Sequence, residues 1–187
     1  MIKALFLIFE PEAAWSRVVN ARRSLGFVLG CYLLPMVLIV AFVQGWGLVE
    51  WGKWQSDIGL IRKFSIAEAV VYCTLQTLWL LLFIAICAHC IKELGGTFNG
   101  RHTYTQAFTA VSYGLSPLFL LRLLDVFPAM NPWITWVIGI ILCITILYHG
   151  IPRVMEPDPP HAFGLYFMSS LLLLMVTGLE RFITAWY

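Results

Sequence analysis

The chain has 187 residues, 60% of them hydrophobic and 12% charged, with a mean hydropathy of +0.84 and a formal net charge of +2. Soluble domains carry about a quarter charged residues, so an aqueous globule is excluded, and the length leaves no room for a soluble enzyme domain beside several spans of about 20 residues each. The small positive charge is scattered over span ends, which argues against nucleic acid and for a role in membrane topology.

In chain order, residues 1–24 read as an amphipathic segment in the headgroup plane: Leu5, Phe6, Ile8 and Phe9 are apolar, and Pro11 then starts a helix carrying Trp15 and Arg17. Trp15 is expected to anchor at the interface. Arg22 and Arg23 close the segment, and residues 25–187 form the membrane domain. The first span is predicted over Leu25–Phe42, with Gly26-x-x-x-Gly30 offering a close approach to another helix and Pro35 freeing the carbonyl of Cys31 so that the helix bends. Gln44–Ser65 is a polar connection whose Trp46, Trp51 and Trp54 form an interfacial belt. Ser65 with Glu68 has the spacing of a capping box and begins the second span, which runs to Ile91 and holds Gln76 between Thr74 and Thr77 as its most polar interior patch.

Gly95-Gly96 ends the second span and Asn99-Gly100 makes a turn. The third span covers Ala107–Phe127, with Ala107, Ala110 and Gly114 as small residues and Pro117 in the middle. A tight turn through Pro128, Asn131 and Pro132 leads to the fourth span, Trp133–Tyr148. His149 to Arg153 ends it, Glu156 to Pro160 forms a rigid loop, and the fifth span occupies Ala162–Phe182. The expected fold is all-α: a polytopic membrane protein of five transmembrane helices preceded by a short amphipathic interfacial helix.

Five spans place the two ends on opposite sides. Lys3, Arg17, Arg22, Arg23, Lys92, Arg101 and Arg153 collect on one side, against Lys53, Arg62 and Lys63 on the other. The positive-inside rule therefore predicts a cytoplasmic N-terminus in the cell membrane, or inner membrane. Lys92, Arg101 and His102 around the glycine-rich turn, with Arg17, Arg22 and Arg23, are candidates to contact anionic lipid headgroups.

Chemistry-bearing residues are few. His89, His102, His149 and His161 gather on the N-terminal side with Glu93, Glu156 and Asp158, and His89 with Glu93 has the i, i+4 spacing of one helix face. No tight ligand motif such as His-Glu-x-x-His is present, so neither a metal nor a cofactor is expected. The five cysteines, Cys31, Cys73, Cys87, Cys90 and Cys143, lie in apolar runs. Cys87-x-x-Cys90 sits towards the C-terminal end of an apolar helix, where the dipole disfavours a thiolate, and reads as packing. Arg122 with Asp125 on the third span, and Glu180 with Arg181 on the fifth, lie near the same membrane side. Intramembrane charges mark either a lock between helices or a pathway.

An apolar start with Phe9-x-Pro11-x-x-x-Trp15, the Gly95-Gly96 turn after the second span, and Tyr113-Gly114-x-x-Pro117 within the third make the chain resemble the Yip1 family, in its compact bacterial-type form. The resemblance implies a five-helix membrane domain with a cytoplasmic N-terminus. Eukaryotic members are associated with prenylated Rab-type GTPases and carry a sizeable soluble N-terminal region that has no counterpart here. The expected function is a non-enzymatic adaptor or scaffold that binds membrane lipids, a membrane-protein partner or a second copy of itself. The competing expectation is a carrier or channel for a small solute, ion or lipid. A conduit predicts that Gln76, Arg122, Asp125 and Glu180 face a shared water-filled cavity; an adaptor predicts that they are paired and dry.

Overall fold

A computed structural model describes residues 7–55, 60–98 and 103–186. Arg101, His102 and the Asn99-Gly100 turn lie outside the described residues. Helix α1, Pro11–Asn20, begins with a proline whose missing N–H is no loss in a first turn, with Glu12 near its positive end and Arg17 near its negative end. The first span, α2, runs Leu25–Glu50 and is longer than the predicted Leu25–Phe42. A π turn over Leu29–Leu33 absorbs the donor that Pro35 lacks. Among the described residues nothing lies within 4 Å of where side chains would stand at Gly26 and Gly30, so no described helix uses that approach.

The polar connection after the first span is shorter than its composition suggested. Gln44, Gly47 and Leu48 are buried and continue α2, because Gly47 lies directly on Val126 of the third span; a Cβ there would meet Val126 Cγ2 at 2.4 Å. Gly52, at φ +80°, then turns the chain into an antiparallel hairpin of β1, Lys53–Gln55, and β2, Leu60–Arg62.

The second span, α3, covers Ile66–Thr97 and opens with the predicted capping box: Ser65 Oγ accepts from the Glu68 N–H at 3.3 Å and Glu68 Oε2 from the Ser65 N–H at 2.8 Å. Gly95-Gly96 does not end this helix. Gly95 is buried within the last turn, and the Phe98 N–H closes the end on the carbonyls of Leu94 and Gly95. The third span begins earlier than predicted because Thr103 and Gln106 form a second capping box. It consists of α4, Tyr104–Gly114, and α5, Ser116–Arg122, followed by a 3₁₀ turn over Leu123–Val126. The break belongs to Pro117: the Tyr113 carbonyl that its absent N–H would have bonded instead accepts from the Ser116 hydroxyl.

The fourth span, α6, runs Pro132–Met155 and is capped by the Asn131 side chain on the Trp133 N–H at 2.9 Å. It continues through His149–Arg153, where the sequence pointed to an end, and stops at Glu156 in a left-handed conformation. The fifth, α7, covers Ala162–Trp186. Among the described residues five helices are long and apolar enough to cross a membrane.

The third span is the axis of the bundle. Its apolar window is 72% buried, against 22% to 44% for the other four, and it packs on α2, α3 and α6. The fifth span leans on α3 and α6, and α1 lies along the final turns of α6. Leu38, Phe42, Leu78, Ile141, Phe167 and Met175 point outwards, as side chains facing lipid must.

Candidate functional site

The ionisable residues of the third and fifth spans meet, and they pair crosswise. Arg122 Nη2 donates to Glu180 Oε1 at 2.7 Å and Oε2 at 2.5 Å, while Arg181 Nη2 donates to Asp125 Oδ2 at 2.5 Å. Arg181 also reaches the Pro132 carbonyl at 2.7 Å, and the Thr135 hydroxyl donates to Asp125 Oδ1 at 2.6 Å, which draws the start of α6 into the network. The four charged side chains are between 2% and 8% exposed. Residues three apart on one helix share a face, yet Arg122 and Asp125 each turn to the fifth span, because a longer reach gives each a full opposite charge and ties separate helices.

The crevice lined by Leu118, Arg122, Thr135, Trp136 and Arg181 has no room for a water molecule. The charges are therefore paired and dry. Arg122 Nη1 and Arg181 Nε are buried without a hydrogen-bond partner, so the network carries donors beyond those its two carboxylates use. Gln76 is buried on α3 with its Oε1 likewise unpartnered, and it is not among the residues that line the crevice at Arg122 and Arg181.

A fifth charge, which the sequence placed in a loop, extends this cluster. The hairpin carries Lys53 back over the bundle, where its Nζ donates to the Thr184 carbonyl at 3.1 Å and to the Tyr72 hydroxyl at 3.4 Å; the Tyr72 hydroxyl donates to the same carbonyl at 3.2 Å. A cation on late carbonyls of α7 is favourable to that helix's negative end. Burial, and then the nearby Arg181 guanidinium, hold the Lys53 ammonium below the ordinary lysine value. The sequence signal that could have found Lys53 is Gly52, which forces the turn immediately before it.

On the opposite side the candidates do not converge. His89 and Glu93 share a face of α3, but Glu93 pairs with Lys92 at 2.9 Å. His149 lies 3.6 Å from Glu12, which also meets Arg153 at 3.1 Å, while the ring of His161 lies 6.2 Å from that of Phe98. Among the described residues no three His, Cys, Asp or Glu side chains come together as a metal site would need. Cys87 is buried and Cys90 half-buried, both well inside α3. Of the headgroup candidates, Arg17 and Arg22 are exposed, Arg23 covers the Phe27 ring at 4.2 Å, and Lys92 holds Glu93.

Trp15 corrects an expectation. It is fully buried against protein rather than open to headgroups: its Nε1 donates to the Ile146 carbonyl at 3.0 Å, and its ring fills the space over Gly150, where a Cβ would stand 2.4 Å away. An indole with its N–H satisfied gains more from a close-packed seat than from the headgroup layer. Its ring meets Tyr113 edge-on at 6.3 Å, and Tyr113 stacks on Tyr32 at 4.0 Å. The Tyr32 and Ser116 hydroxyls share a hydrogen bond beside Pro117. Trp15, Tyr113 and the Pro117 break, distant in sequence, thus form one internal column. The model of the Yip1 domain matches residues 5–179, nearly the whole bundle.

The chain belongs to the Yip1 family. No curated protein and no solved structure matches it. In this Yip1 domain Trp15, Tyr113, Gly114 and Pro117, four of the residues that carried the resemblance, lie in or against the central third span, whereas Phe9 is exposed and Gly96 has open space around it. The charged cluster at the other end of the same span is a separate feature, and it joins the third, fourth and fifth spans of the Yip1 bundle.

Proposed function

We propose that this Yip1 protein is a non-enzymatic scaffold of the cell membrane, with a cytoplasmic N-terminus, which works by presenting its outer surface to membrane lipids and to a membrane-protein partner or a second copy. The observation that supports the reading is the crossed, dry pairing of Arg122 with Glu180 and Arg181 with Asp125. A solute pathway needs polar groups with unsatisfied capacity facing water, whereas four neutralised charges in a crevice too narrow for water hold helices together.

The test is reconstitution into liposomes. A scaffold gives no leak of ions or small solutes and no exchange of lipid between leaflets above that of protein-free vesicles, and it yields a reproducible partner on cross-linking in the native membrane. Saturable transport that is lost in Arg122→Gln with the protein still folded would establish the carrier reading instead.

A further inference from the structure

The geometry points to the open face of α3 as the surface on which a second copy of this chain docks, the two helices lying side by side in the same direction and Trp79 of each donating to Thr74 of the other. The inference rests on the scaffold reading and names its surface and its partner. Helix α3 packs on α2, α4 and α7, and its apolar window is the least buried of the five. On the side that is left, Val71, Leu75, Leu78 and Leu82 are 47% to 58% exposed. Their alternating steps of four and three residues form the straight seam of a parallel helix pair, and Thr74 and Trp79 flank it on opposite sides. No Asp, Glu, Lys or Arg stands between Glu68 and Lys92, so like charges do not oppose the pairing.

Lipid accounts for an apolar stripe, but not for Trp79. This residue stands about 16 Å along the helix from Glu68 and about 20 Å from Lys92, deep in the hydrocarbon rather than in the headgroup layer where tryptophans gather. It is 39% exposed and its ring stacks on Phe83 at 5.8 Å, yet among the described residues nothing accepts from its indole N–H. Trp15 and Trp136, which face other helices, both donate, to the Ile146 carbonyl and the Thr177 hydroxyl. Acyl chains offer no acceptor, and an N–H left without one among them is costly.

The acceptor lies on the same open face. Thr74 Oγ1 is exposed and donates to the Val70 carbonyl at 2.7 Å, which leaves the lone pairs of its oxygen to accept. Inside the bundle the same chemistry already joins two helices: Thr177 Oγ1 donates to the Leu173 carbonyl at 2.7 Å and accepts from Trp136 Nε1 at 3.2 Å. Thr74 cannot serve Trp79 of its own helix, because the seam lies between them. A two-fold axis along the membrane normal exchanges the sides, so that Thr74 of one copy and Trp79 of the other share each edge. Their offset of five positions is the one by which flanking residues meet in a parallel pair, and an indole leaning towards the start of its helix closes the remaining rise. Donor and acceptor are thus matched twice in one dimer.

The test is energy transfer between donor-tagged and acceptor-tagged full-length chains in liposomes, followed as the protein is diluted in lipid, together with photo-cross-linking in the native membrane. A photo-reactive residue in place of Leu78 should give a homodimer, and one in place of Ile141, on the lipid side of α6, should not. Trp79→Phe keeps the stack on Phe83 but loses the donor, and Thr74→Val keeps the shape but loses the acceptor; both sites face lipid in the single copy, so each variant folds. Each is expected to weaken association about three- to tenfold, the range of a hydrogen bond between helices in lipid, and the double variant no more than either alone. Monomers at every dilution, unchanged association in both variants, losses that add in the double variant, or cross-links from Leu78 only to a different protein would each overturn the dimer and leave the scaffold reading to other partners. Saturable transport by a dimer that Trp79→Phe still weakens would overturn the scaffold reading and uphold the seam.

Discussion

Arg122 and Glu180 are each about as costly to bury alone as any residue in the chain, and together they are nearly free of water. Removing one partner of such a pair leaves a naked charge, and costs about 3–5 kcal/mol, whereas replacing both with apolar groups of similar size is close to neutral or stabilising. Arg122→Met and Glu180→Leu are therefore each expected to lower the melting temperature in detergent sharply, and the double variant to recover most of the loss. Equal losses that simply add would refute the pairing. Lys53 supplies a prediction of opposite character. A lysine held below its unfolded value, about 10.4, binds its proton less well folded than unfolded, so folding gains stability as pH rises through the folded value towards the unfolded one. The melting temperature of the unaltered protein minus that of Lys53→Met should climb across this alkaline range; a flat difference would refute the shift. The sequence made the four span charges visible as residues but not as partners, because i, i+3 spacing suggested neighbours within a helix while the bonds run between helices.

At the scale of helices, the ends are set by local chemistry where a cap exists and by packing where it does not. Thr103, whose side chain accepts from the Gln106 N–H at 3.3 Å, illustrates the first case, and Thr103→Ala should cost about 1 kcal/mol, measured by thermal unfolding. Trp15→Phe keeps the ring in its notch but deletes the donor to Ile146, so a loss of about 1 kcal/mol is expected, smaller than the loss from Trp15→Ala. This division explains what could be read in advance. Five spans, the Ser65 cap and the proline start of α1 follow from hydropathy and side-chain chemistry alone. The continuation of α2 past Phe42 depends on Gly47 meeting Val126, 79 residues away by number, and that of α6 through His149–Arg153 on the presence of α1 along it. Neither contact leaves a trace in local sequence. The same blindness put Trp15 at the headgroups, since an amphipathic helix looks alike whether its apolar face meets lipid or protein.

For the molecule as a whole, the arrangement is a central, broken third span surrounded by its neighbours, with the fifth reaching it through side chains. An odd number of crossings puts the ends of the bundle in different compartments. With the N-terminus proposed as cytoplasmic, a reporter fused after the fifth span should be active only in its extracytoplasmic form; the reverse would overturn the orientation. The crossed ion pairs also bear on how the protein is made. Arg122 and Asp125 precede Glu180 and Arg181 by 58 and 56 positions, so a growing chain delivers the first two to the bilayer long before the ribosome supplies their counterions. Until the fifth helix arrives, Arg122 and Asp125 lack the counterions that neutralise them in the folded protein and have only each other, three residues apart on one helix, to offset the cost of charge in lipid.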